Sequence, residues 1–234
     1  MAKQVAKRLL MLGGEDSEFL DLYGQSLLSA GDFEGAESTY SRAYKLDPDS
    51  SFQFGKKFRT AKEMNKLKME GNGFVSKQKS TEAIASYTMG VEKCKEKGLD
   101  CVYVFLNNRS ACYMNTKRYH QALADIDESI QTNPYLPKPY LRRITCIKQM
   151  NLVERMNTVA MDYLNALFAM GYKDSAVKST SREYISFLRT NNAFKSNVNV
   201  VSSKRDVDRV ININPDSLIV LDMFAQWCGP CKVG

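Results

Sequence analysis

Small and large apolar residues recur along this chain with a helical rather than a strand-like rhythm. Between Ser17 and Ser50 the small residues Gly24, Ala36 and Ala43 stand among the large ones Leu27, Phe33 and Tyr40, and Pro48 closes the run. The arrangement returns from Met64, with Gly71, Phe74, Ala83, Tyr87 and Gly90. It returns again from Tyr103, with Leu106, Ser110, Tyr113, Tyr119, Ala122, Ile126, Ser129 and Pro134. A fourth, degraded copy starts at Pro137: Tyr140 and Ile147 keep the register, but Met156 stands where a small residue belongs. Intervals of three and four residues place such positions on one helical face, and small residues mark where two helices approach closely. Each run therefore predicts amphipathic helices, and the repetition predicts a solenoid.

The intervals refine this picture. The third and fourth starts, Tyr103 and Pro137, are 34 residues apart, so those units stack directly. Five extra residues around Lys97 to Asp100 lengthen one turn between the second and third units, and thirteen, Ser51 to Glu63, separate the first from the second. That charged stretch is expected to extend the helix leading into the second unit, making the first unit a separate or offset neighbour of a three-unit block. Tyr172 to Thr190 reads as an amphipathic capping helix that hides the solenoid's apolar end. Asn191 to Ser203 reads as a linker, and Met1 to Leu12 as a helix rather than a signal peptide. The expected divisions are residues 1–63, 64–192 and 193–234. The period and the placement of small and large residues resemble the tetratricopeptide repeat, two helices in 34 residues.

Composition narrows the function classes. The 234 residues are 44% hydrophobic and carry a net charge of +7, with the basic residues dispersed rather than in a run. No apolar stretch approaches the roughly eighteen residues of a membrane span, and neither an RNA-binding aromatic sequence nor a DNA-reading helix accompanies the charge. No membrane and no nucleic-acid partner is expected, which leaves acidic peptides. Four of six cysteines (Cys94, Cys101, Cys112, Cys146) are scattered singly, which suits a reducing, cytoplasmic location. Cys112 and Cys146 share one repeat position and read as packing. With a single histidine, His120, expected to be exposed near a turn, no metal site is predicted, and no cofactor loop is present.

The first helices of successive units should line a groove, and their polar residues are specific. Lys68 and Asn72 lie four apart in the second unit, Asn108 follows in the third, and Lys138 and Arg142 lie four apart in the fourth. Two lysines and an arginine supply charge-assisted donors for a peptide's terminal carboxylate and an aspartate side chain, and two asparagines can bond the same groups. This set resembles the carboxylate clamp of tetratricopeptide co-chaperones, which implies binding of the Glu-Glu-Val-Asp tails of cytosolic heat-shock chaperones. At a background of roughly one in twenty per position, five such identities arise by chance on the order of once in a million. The runs Lys-Met-Glu-Gly-Asn, Asn-Arg-Ser-Ala-Cys-Tyr and Lys-Pro-Tyr-Leu-Arg-Arg are similar to those of co-chaperones that join such repeats to a J domain or a thioredoxin-like domain.

Beyond residue 193 the pattern becomes strand-like. Val198, Val200 and Val201 predict a short edge strand, Asp206 to Ile213 a helix, and Leu218 to Phe224 a buried strand. The string Ala-Gln-Trp-Cys-Gly-Pro-Cys-Lys that follows resembles the thioredoxin active site. The resemblance implies Cys228 as nucleophile, Cys231 as resolving thiol and Asp222 as the buried carboxylate assisting proton transfer. Only about a third of such a domain is present, so the expected fold is an all-α tetratricopeptide solenoid followed by an incomplete thioredoxin-like α/β fragment. Independent oxidoreductase activity is not expected. A binding adaptor is the leading function; the alternatives are a thiol-disulfide oxidoreductase targeted by its repeats and a general scaffold for acidic peptides.

Overall fold

A computed structural model of the chain describes residues 16–47, 51–152, 155–170 and 175–190. The chain divides into two compact units, Met1–Phe187 and Leu188–Gly234, and the architecture below is that of the first. The described residues form helices and no strands: α1 (Ser17–Ser29), α2 (Phe33–Leu46), α3 (Ser51–Ser76), α4 (Ser80–Glu96), α5 (Val102–Asn115), α6 (Tyr119–Thr132), α7 (Pro137–Gln149), α8 (Met156–Met170) and α9 (Ser175–Thr190). Each helix from α1 to α7 packs on the next, and α5 also touches α7. This is the layering of a tetratricopeptide solenoid, in which first helices of successive units adjoin.

Local chemistry sets the helix ends. The Asp16 carboxylate accepts from the Glu18 amide at 2.8 Å and starts α1, and Asp32 accepts from the Gly35 amide at 3.1 Å and starts α2. Pro137 opens α7, where a missing N–H is harmless. The turns inside the four units share one device: Gly31, Gln78, Lys117 and Asn151 all have φ between 50° and 75°. Each is the fifteenth residue of its unit, so one left-handed residue reverses the chain in all four.

Large and small residues interlock as the sequence pattern requires. A Cβ on Gly71 would stand 2.3 Å from the Tyr87 ring, and one on Gly90 would stand 2.3 Å from Phe105. The thirteen residues between the first and second units are the N-terminal half of α3. Ser51 falls 34 residues after Ser17, where a next repeat would begin, and Phe54 and Ala61 of this half complete the cores of α1 and α2. The second half of α3 starts the following unit, so one helix closes the first repeat and opens the next.

The fourth unit corrects a sequence expectation. Met156 does not take the small-residue position; it begins α8. The buried apolar positions of α8 are Val159, Tyr163 and Ala166, whose intervals of four and three match Ala122, Ile126 and Ser129. The connection after α7 runs over residues 150–155, six residues, whereas the turn after α5 has three, 116–118. The unit is complete, with three residues inserted after its left-handed Asn151. Tyr163 then meets Tyr184 and Phe187 of α9 at ring separations of 5.4 and 6.0 Å, so α9 caps the fourth unit.

Candidate peptide-binding groove

All five residues expected in the groove lie on first helices: Lys68 and Asn72 on α3, Asn108 on α5, Lys138 and Arg142 on α7. α3 and α5 share a core through Met64, Leu67, Phe105 and Leu106. Lys68 is half-buried; its Nζ donates to the Gly31 carbonyl at 2.9 Å and sits 5.3 Å from the centre of the Phe33 ring. Asn72 is exposed, and its Oδ1 accepts from the Tyr87 hydroxyl at 2.8 Å. Burial pushes the Tyr87 phenol up to about 12, so it remains a donor. That bond ties Asn72 to α4, the second helix of its own unit.

Asn108 is half-buried on α5, and Lys138 is exposed in the first turn of α7. Arg142 is half-buried and bridges the two helices, donating through Nη1 to both the backbone carbonyl and the side-chain oxygen of Asn107. Burial holds its guanidinium below the usual arginine range. Cys112 and Cys146, both buried free thiols, lie near it. The structure thus joins Arg142 to the α5 face of the groove and Lys68 to the turn between α1 and α2. Among the described residues no hydrogen bond or ion pair joins Lys68, Lys138 or Arg142 to a carboxylate.

The neighbouring arginines behave differently. Arg109 donates through Nε and Nη2 to Asp125 at 2.8 and 2.7 Å, and through Nη1 to Thr88 of the preceding unit at 3.0 Å. Arg143, at the same repeat position, pairs with Asp162 (Nε to Oδ2, 2.9 Å) and with Asp127 of the preceding unit at 3.0 Å. These carboxylates raise the Arg143 pKa against the opposing effect of burial. Sequence reasoning missed this repeated buttress, and also Asn107 and Gly31 as partners of the groove cations. A signal existed: Arg109 and Asp125 are 16 apart, and Arg143 and Asp162 are 19 apart, which is the same interval once the three inserted residues are removed.

Asp222, Cys228 and Cys231 lie outside the described residues. So do the expected helix at 1–12, the linker at 191–203, and the strands and helix expected between residues 198 and 224. His120 is exposed in the first turn of α6.

Comparison with known proteins agrees with the repeat architecture. The family described as tetratricopeptide repeat matches residues 17–50. Sperm-associated antigen 1A of Danio rerio is 27% identical over 105 residues, 44% of this chain and 24% of that protein. Thioredoxin-T of Drosophila melanogaster is 46% identical over 33 residues, 14% of this chain and 21% of that protein. In both cases the chain spans about a quarter or less of the relative's length. The crystal structure of the P58(IPK) TPR domain superposes with a TM-score of 0.57 at 16% identity, covering 81% of this chain and 51% of that one. The chain contains a tetratricopeptide repeat at residues 17–50, and its described helices form a solenoid of that type.

Proposed function

We propose that the groove along α3, α5 and α7 binds the free C-terminus of an acidic peptide, and that its natural ligand is the Glu-Glu-Val-Asp-type tail of a cytosolic heat-shock chaperone. On this reading the chain is a cytoplasmic co-chaperone adaptor and not itself an enzyme. Lys68, Asn72, Asn108, Lys138 and Arg142 hold the terminal carboxylate and the last side chain.

The observation that carries the reading is the state of Arg142. A half-buried guanidinium normally finds a carboxylate, as Arg143 next to it does twice. Arg142 instead rests on two neutral oxygens of Asn107. Burying a charge without a counter-charge is unfavourable, so an arriving carboxylate gains a strong partner there. Lys68 repeats the arrangement, with a neutral carbonyl and a ring face as its partners.

The test is titration with a Glu-Glu-Val-Asp peptide, free and amidated at its C-terminus, against the full chain and against Lys138→Ala. Lys138 is exposed, so its removal leaves the fold intact. A lost charge-assisted bond of about 1.5–3 kcal/mol weakens binding roughly ten- to hundredfold. Equal affinity for free and amidated peptides refutes the proposal. A second reading, dithiol exchange through Cys228 and Cys231, is supported by the short thioredoxin match and would show as insulin reduction that depends on Cys228.

A further inference from the structure

We infer that the turn between α1 and α2 is a fixed wall of the groove, and that it positions Lys68 to meet the ligand's carboxylate. This gives the first repeat a direct part in recognition and rests on the carboxylate-binding reading above.

Three contacts seat the turn. The Tyr103 hydroxyl at the start of α5 donates to the Ser29 carbonyl at 3.0 Å. Gly31, at φ 75°, lies so close to Val104 that a Cβ would come within 2.5 Å of its Cγ2. Phe33 stacks on Phe105 with ring centres 5.5 Å apart and planes 15° from parallel. Phe33 is 1% exposed and belongs to the same core as Met64, Leu67, Tyr87 and Leu106. A plug that leaves when ligand arrives would have to expose that ring to water, which is strongly unfavourable. The turn is therefore part of the wall and not a lid.

Its effect on Lys68 follows from the chemistry of an ammonium group. Lysine has three N–H donors on a flexible four-carbon stem. The Gly31 carbonyl takes one donor and the Phe33 face attracts the charge from one side. Two donors and the full positive charge remain for a carboxylate. Neither partner is anionic, so the ammonium is oriented without being neutralised. Freezing the side chain beforehand also removes an entropy loss that binding would otherwise carry. Lys68 on Gly31 and Arg142 on Asn107 are thus two cations held ready in the same manner, on different helices.

The experiment compares the full chain with Gly31→Val and Phe33→Leu, each also combined with Lys68→Ala, using free and amidated Glu-Glu-Val-Asp peptides and helical circular dichroism to verify folding. Gly31→Val adds a side chain where the Cβ alone overlaps Val104, so the turn must shift off α5. Phe33→Leu keeps most of the apolar bulk and removes the ring, and with it both the face under Lys68 and the stack on Phe105. Affinity for the free peptide should fall about three- to tenfold in the first variant and about two- to fivefold in the second. Affinity for the amidated peptide should stay unchanged, and both effects should vanish when Lys68 is already alanine. Tighter binding by Gly31→Val would show a plug and overturn the inference. An equal loss with and without Lys68 would reduce the turn to a structural role and overturn it as well. Equal affinity of the unmodified chain for free and amidated peptides would instead remove the underlying reading. Discrimination retained by the unmodified chain, with no effect of either variant, would overturn this inference alone.

Discussion

Replacing Gly90 by alanine adds one methyl group inside α4, and its consequence can be worked from the packing around it. The new Cβ would stand 2.3, 2.4 and 2.6 Å from Cδ1, Cε1 and Cγ of Phe105. Carbon atoms normally settle at about 3.5–4.0 Å, so the ring would have to retreat by more than an ångström. It has nowhere to go, because Phe105 is fully buried and Phe33 is stacked 5.5 Å away in the same core. Overpacking of this kind costs about 1–3 kcal/mol, and an overlap this deep belongs at the upper end. Alanine in place of glycine returns about 1 kcal/mol of helix propensity, which leaves a net loss of about 2 kcal/mol. Gly73→Ala is the control, since a Cβ there meets nothing within 4 Å and should gain roughly 0.5–1 kcal/mol. Urea denaturation followed by helical circular dichroism reads both, and the midpoints should move in opposite directions with an unchanged slope. Midpoints that rise together would refute the close approach of α4 and α5.

Two further outcomes follow from the ionic and phenolic groups. Arg143→Ala leaves Asp162, 1% exposed, without its buried partner and should destabilise the chain by about 3–5 kcal/mol; Arg142→Ala should leave the denaturation midpoint nearly in place while abolishing tail binding, and the reverse pattern would refute the division of roles. Burial raises the Tyr87 phenol to about 12 and raises Tyr40 as well. A raised native pKa binds the proton more tightly in the folded state, so its contribution is complete below the unfolded value of about 10 and is lost as pH rises through about 12. A urea midpoint that stays constant from pH 10 to 12 would refute it.

What the sequence revealed, and what it hid, depends on whether a contact lies within one unit or between units. The pairing of Gly71 with Tyr87 is local and was readable from the repeat spacing, as were the helix pairs and the capping helix after residue 172. The place of the first repeat was not readable, because its decisive contact joins Phe33 to Phe105, 72 residues later, and no periodic pattern marks that pair. The fourth unit looked degraded because insertion after Asn151 shifts every later position by three, so a fixed ruler set Met156 where Val159 belongs. Helical periodicity does not reveal where a gap falls. Arg142 is legible as a residue type at a prescribed place, but the neutrality of its partner, Asn107, emerges only when α5 and α7 are packed together.

Adjacent residues on the first helices have different partners, and the helix itself explains how. Consecutive residues point about 100° apart, so Asn108 and Arg109 face different surroundings, as do Arg142 and Arg143. The second member of each pair turns inward and reaches an aspartate on its own second helix and an oxygen on the unit before. That double attachment fixes the roll of each first helix relative to two neighbours. It also fixes where the first member of the pair is presented, because a helix cannot rotate one residue without the next. The ion pairs behind the groove therefore set the geometry of the uncompensated donors in front of it. A substitution at the inward arginine should reach the groove through helix roll, whereas one at the outward residue should reach the ligand alone. On the proposed reading, the charge at Arg142 that is offered to the ligand and the charge at Arg143 that holds the helix are one residue apart, and it is the presence or absence of an aspartate opposite that tells them apart.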